Sequence, residues 1–479
     1  MSKSASLFTC PAIIVCLFLV PLAASAKTVY VDDDAAGANN GSSWADAYYY
    51  LQDALMFAAA GDEIRVAQGV YRPDDFVLSR RPNLGRDETF QLINGVTLRG
   101  GYAGLGQPDP NARDFNEYET ILSGDLNGDD VWDWWWNHPS RYENSYHVVT
   151  GNGTDETCTF DGFTVAWGYA NGSYGNARGS GMYSANGSPT VANCTFERNL
   201  AYESGGGMYV SQSNPTIADC NFYRNVAVNG AGVFNEESSP TITNCNFNEN
   251  EARYGSWGFG GGVYNYQSNP IIERCIMANN YAEVGGGIAC NENSSPTIKN
   301  CTISGNLTYQ DGGGIYCGAS SNPIITNSTI VGNETEEAYV GGIACFGGSA
   351  PIITYSDIQG GWPGEGNIDV DPCFADVASG DYHLKSQAGR WEPNEGRWVM
   401  DEVTSPCIDA GDPMSPIGLE PFPNGGIVNM GAYGGTVEAS KSYFGEPPCE
   451  TIVAGDVNGD CVIDFRDFCI MALHWMEER

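Results

Sequence analysis

Between residues 179 and 356, apolar and polar positions follow one order that recurs seven times. One apolar position holds Val191, Ile217, Ile242, Ile272, Ile298, Ile325 and Ile353. A second holds Phe196, Phe222, Phe247, Met277, Ile303, Ile330 and Ile358. Thr, Asn, Ser and Tyr fill the places between. The steps, measured at Gly181, Gly207, Gly232, Gly262, Gly287, Gly314 and Gly342, are 26, 25, 30, 25, 27 and 28 residues. No helical period runs through a unit, and the β-branched, alternating runs predict two or three strands of about three to five residues in each. One coil per unit, stacked so that like residues lie about 4.8 Å apart, gives an all-β solenoid, the right-handed parallel β-helix. The two apolar columns then fill its interior, each side chain stabilising by roughly 1.5–3 kcal/mol.

The polar columns have matching tasks. Asn199, Asn225, Asn250, Asn280, Asn306 and Asn333 recur behind the second apolar position and are expected to form an internal amide ladder at a turn. Before the repeats, Thr28 to Val31, Ile64 to Val66, Val96 to Leu98, Tyr146 to Val149 and Phe163 to Val165 read as strands of irregular early coils. Within Asp46 to Ala60, the stripe Leu51, Ala54, Leu55 and Ala58 has helical spacing. That helix is expected to plug the open end of the stack, where unpaired strand edges would otherwise invite aggregation. The predicted organisation is an N-terminal cap with irregular coils at 27–178, regular repeats at 179–356, last coils and a C-terminal cap at 357–445, and a linker with a small acidic segment at 446–479.

The first 26 residues read as an export signal: Lys3, a short apolar run from Ala12 to Val20, and Ala24-Ser25-Ala26 as the cleavage site. The run is too short to span a bilayer, so a secreted or cell-surface protein without a transmembrane segment is expected. Of the 16 cysteines, 14 lie beyond that segment. Cys194, Cys220, Cys245, Cys275 and Cys301 form one column, and Cys290, Cys317 and Cys345 another. Neighbours in a parallel stack hold their Cβ atoms too far apart for a bridge, so both columns are expected to be buried free thiols. Disulfides are expected at Cys449–Cys461 and Cys373–Cys407. The charge, 22 basic against 59 acidic residues or −37, excludes nucleic acid as a partner, since phosphates need clustered Lys and Arg.

The pairing of Gly285-Gly286-Gly287-Ile288 with Phe196-Glu197-Arg198-Asn199-type segments resembles the repeats of polymorphic outer membrane proteins. The wider chain is similar to secreted bacterial right-handed β-helix proteins of the pectin-lyase-like kind, through Val31-Asp32-Asp33-Asp34, Gly41-Ser42-Ser43-Trp44, Asp161-Gly162-Phe163-Thr164 and Ser405-Pro406-Cys407-Ile408-Asp409-Ala410-Gly411. Residues 456–467 resemble a dockerin or EF-hand calcium loop. The resemblance gives Asp456, Asn458, Asp460, Val462 (by its carbonyl), Asp464 and Asp467 as ligands of Ca²⁺, a cation that prefers hard oxygens at this spacing. Cys461 stands where that loop usually has glycine, and one loop is present where dockerins carry two. A cohesin-like partner is what the resemblance implies. Asp125 to Asp133 begins in the same way, but Trp136 replaces the acidic last ligand.

Polygalacturonase-type hydrolases on this fold use paired acids with Gly-His-Gly, which none of His138, His147, His383 and His474 supplies. Arg198 and Arg224, followed in the column by Glu249, are either a subsite or surface ion pairs. Tyr183, Tyr209, Phe234, Tyr264 and Tyr316 alternate out of phase with the interior aliphatics and should form an outward strip, either ligand-binding against sugar rings or simply self-packing. Trp132, Trp134, Trp135 and Trp136 are a second aromatic group. The expected function is a calcium-assisted binding or structural module, adhesin-like, that engages extracellular carbohydrate or a surface protein. The alternative is a polysaccharide lyase or glycoside hydrolase.

Overall fold

The computed structural model describes residues 26–76, 85–131, 138–253, 257–337 and 340–443, with Phe465 and Phe468. The export segment before Ala26, the Trp132–Trp136 group, the Cys449–Cys461 pair and the calcium ligands Asp456, Asn458, Asp460, Val462, Asp464 and Asp467 lie outside them.

Each regular coil holds four strands, one more than the pattern predicts at most. In one coil these are Thr190–Ala192, Thr195–Glu197, Leu200–Ala201 and Met208–Ser211. They belong to four parallel sheets, here A, B, D and C, of 11, 10, 7 and 9 strands. The strand hidden from the sequence is the two-residue one in sheet D, too short to show alternation. Its mark is a small-residue column, Ala201, Ala227, Ala252 and Ala282, fully buried. Register is residue on residue: Val191 pairs with Ile217, Ile217 with Ile242, and Phe196 with Phe222 and then Phe247. Those phenyl rings stack at 5.0 and 4.7 Å between centroids.

The amide ladder is complete. Asn199 donates through Nδ2 to Oδ1 of Asn225 at 3.1 Å, and the chain continues through Asn250, Asn280, Asn306 and Asn333 at 3.0, 2.9, 2.9 and 2.9 Å. Each amide also donates to a carbonyl of the preceding coil, as Asn225 does to Phe196 at 2.7 Å. A second ladder, of serines two residues before the repeat prolines from Pro215 onward, closes another turn: the backbone N–H groups of Ser213, Ser238, Ser268 and Ser294 donate to the next coil's hydroxyl at 3.0–3.1 Å. The repeat thiols are free, and all are buried except half-buried Cys345. Burial pushes the Cys290 thiol up to about 12.

The helix Leu51–Phe57 buries Leu51, Ala54 and Leu55 in the same core as Val29, Val31, Ile64 and Val66, and so closes the first mouth of the stack. Trp362 packs on the core at the other end. Beyond Ile358 the chain makes two antiparallel pairs in place of further coils: Phe374–Asp376 with Asp381–Leu384, and Arg390–Glu392 with Arg397–Val399. This segment has its own core of Leu384, Cys407, Ile408 and Met430. It seats on the coils through Asn300 Nδ2 to the Asn429 carbonyl at 3.3 Å and Gly431 N–H to the Asn327 carbonyl at 2.8 Å. The expected Cys373–Cys407 bridge is absent. Cys407 points its thiol at Asp357 Oδ2, 3.5 Å away, and Cys373 bonds the Asp371 carbonyl. No helix of the described residues is long and apolar enough to cross a membrane.

Candidate functional site on an open sheet face

The outer face of sheet B follows from its alternation. Phe196, Phe222, Phe247 and Met277 point inward and are fully buried, so their neighbours point out. Those neighbours are Thr195 and Glu197, Asn221 and Tyr223, Asn246 and Asn248, then Ile276. Asn221 and Asn246 are exposed, and Thr195, Tyr223, Asn248 and Ile276 are half-buried. The face is edged by two columns of left-handed turn residues. Asn193, Asp219, Asn244 and Arg274 have φ of 51–54° on one side. Arg198, Arg224, Glu249 and Asn279 have φ of 52–57° on the other. That region is costly for side chains without a short polar group, and its recurrence fixes where each edge residue stands.

The edge arginines each hold a neighbouring carboxylate. Arg198 bonds Glu197, Arg224 bonds Glu249, and Arg274 bonds Glu273. The Arg224 guanidinium also lies 4.7 Å from the Tyr223 ring centre. At the amino end of the face, Phe115, Asn116, Glu119, Thr195 and Asn221 line a cavity of about 240 Å³. There the Thr164 hydroxyl donates to Glu119 Oε1 at 2.8 Å. At the carboxyl end, a cavity of about 600 Å³ opens between Ser304 and Val331 on the sheet and Asp369, Asp371 and Lys385 on the C-terminal segment. The sequence places the Arg198, Arg224 and Glu249 column here. It misses the amides of Asn221, Asn246 and Asn248, whose alternation with the buried phenylalanines was the available signal.

The aromatic strip lies elsewhere, on sheet C. Tyr183, Tyr209, Phe234 and Tyr264 do follow one another at 5.1, 5.6 and 5.2 Å between ring centres. They leave the coil interior as their phase requires, yet Tyr209, Phe234 and Tyr264 are buried, and Tyr183 and Tyr316 are half-buried. The Gly-rich loops lie over the strip: a Cβ on Gly205 would stand 2.8 Å from the Tyr209 Cα. Phe259 fills the gap between Tyr264 and Tyr316. Burial pushes the Tyr209 hydroxyl up to about 12, its bond to Glu236 adding to the effect. The strip is a second packing layer, with little ring surface for a sugar.

In the early loop, Asp125 Oδ1 accepts from Gly128 and Asp129 N–H at 2.7 and 3.2 Å, and Oδ2 from Asp130 N–H at 3.0 Å. Carboxylate oxygens of Asp125, Asp129 and Glu143 lie within 4.8 Å of one another, as do those of Asp32, Asp33 and Asp34. Burial, with Asp129 and Asp130 nearby, pushes Glu143 up to about 7. These hard oxygen groups have the chemistry to hold a divalent cation. The described histidines serve their own neighbourhoods: His138 with Ser140, His147 with the Gly179 carbonyl, and His383 with Asp381.

Among family models, that of the right-handed β-helix region agrees with the architecture. Residues 354–411 match a family model described as disaggregatase related. No curated protein matches the sequence. Among solved structures, the crystal structure of pectate lyase Pel9A is similar at 12% identity, over 85% of this chain and 96% of that one, with a TM-score of 0.43. Residues 142–266 and 255–369 match the model of the right-handed β-helix region, and with the parallel register of all four sheets the repeat region is a right-handed parallel β-helix.

Proposed function

We propose that the protein binds a polysaccharide across the outer face of sheet B. The observation that carries this reading is the row of side-chain amides, Asn221, Asn246 and Asn248, beside the Tyr223 ring on an open, evenly spaced strand ladder. Amides both donate and accept, as sugar hydroxyls do, and a ring face suits the apolar side of a pyranose. Strands locked in register by the Asn and Ser ladders hold these groups in place before a ligand arrives, which lowers the entropy lost on binding. A glycan array probed with the full-length protein tests the reading. Binding that Asn246→Ala and Asn221→Ala weaken supports it, and retention of glycan by both variants refutes it.

The second reading is a lyase or hydrolase on the same face, favoured by Arg224 standing beside the Glu249 carboxylate. It requires product: release of unsaturated or reducing sugar ends that Arg224→Ala abolishes. The proposal also includes export and attachment at the cell surface, with Asp456, Asn458, Asp460, Val462, Asp464 and Asp467 binding Ca²⁺ and offering a cohesin-like or other surface protein a docking point. Calorimetric titration of the full chain with Ca²⁺, against a variant carrying Asp456→Ala and Asp460→Ala, is expected to lose one binding event.

A further inference from the structure

We infer that the ligand of the sheet B face is an uncharged oligosaccharide held over four coils. This rests on the glycan reading above and narrows it to a substrate class. The open window is bounded at both ends. Toward the amino end Thr164 is buried, with its hydroxyl on Glu119. Toward the carboxyl end Thr302 and Thr329 are buried: Ala432 N–H donates to the Thr302 hydroxyl at 3.0 Å, and the Thr329 hydroxyl lies 3.4 Å from where a Cβ on Gly431 would stand. Between these limits stand Thr195, Asn221, Asn246 and Ile276, one per coil. Four coils at a strand spacing of about 4.8 Å make a window of about 19 Å, the length of a short oligosaccharide.

Every arginine of that window already holds a carboxylate, and among the described residues Asp219 on its edge accepts only from the Asn244 amide. Glu197 and Glu249 engage Arg198 and Arg224 on this face, and Arg274 at its edge is held by Glu273 of the adjoining sheet A strand. A uronate or sulfate would have to lose its hydration shell and draw an arginine from its carboxylate, leaving that carboxylate uncompensated. The molecule's charge of −37 adds long-range repulsion. Hydroxyl groups meet no such opposition and find both donors and acceptors in Asn221, Asn246 and Asn248.

The test is calorimetry on the full-length protein with neutral β-glucan, mannan and xylan oligosaccharides of increasing length, and with oligogalacturonates. Affinity for one neutral series is expected to rise with length and then level off once the window is filled. Asn221→Ala and Asn246→Ala, both at exposed positions, are each expected to lower that affinity about tenfold with melting temperature unchanged. Tighter binding of oligogalacturonate, falling as salt rises, overturns the uncharged ligand while keeping the glycan reading. Binding of neither class overturns both.

Discussion

At Asn225 one side chain satisfies several buried groups. Its Oδ1 accepts from the backbone and the amide of Asn199, and its Nδ2 donates to Asn250 and to the Phe196 carbonyl. Alanine there leaves these partners in a water-free interior, at roughly 1–3 kcal/mol for each orphan. Asn225→Ala is therefore expected to lower the denaturation midpoint markedly. Thr216→Ala, on the exposed side of its strand, should stay within about 0.5 kcal/mol. The repeat thiols give a second measurement. Cys194, Cys220, Cys245, Cys275, Cys301, Cys290 and Cys317 are buried. A thiol reagent should leave them unmodified in the native protein and reach them only on unfolding.

At the scale of elements, the C-terminal segment is expected to respond to pH. Glu420 is buried, accepts from the N–H groups of Asn429 and Gly435, and burial pushes it from 4.5 up to about 7. Asp357, beneath the segment at Cys407, is likewise pushed by burial from 3.8 up to about 6. A carboxyl whose folded-state value is raised binds more protons folded than unfolded. Its contribution is thus greatest in acid and is lost as pH rises, between about 4 and 7 for these two groups. Hydrogen exchange of residues 405–440 should be slower at pH 5 than at pH 8, after correction for the intrinsic rate, and Glu420→Gln should flatten the difference. These elements also mark how far the sequence could be read. The coil, its inward columns and the Asn ladder were legible because each residue recurs at a fixed place and has one physical task. The sheet D strand was not, because two residues cannot display a period. The aromatic strip was read in the right phase, but phase reports only which side of a strand a ring leaves from. What covers it is the Gly loop of another part of the unit, a tertiary fact. The antiparallel pairs after Phe374 were missed for a related reason: residues past the last repeat have no column to be compared with.

For the whole molecule, 59 acidic residues against 22 basic ones place many like charges around one long stack. Self-repulsion of this kind is screened within about 8 Å at physiological ionic strength. The melting temperature is expected to rise as salt is increased from about 0.01 to 0.15 M, as differential scanning calorimetry at fixed pH will register.

Because every coil meets its neighbours through the same bonds, a coil is interchangeable with the one beside it. Excising residues 220–244 joins Asp219 directly to Cys245, with Phe247 beneath Phe196 and Asn250 receiving the amide of Asn199. The shaft would be one storey shorter, with both of its lids in place. Length in this architecture is therefore a quantity that duplication and loss can adjust in whole steps, with no new joint to invent.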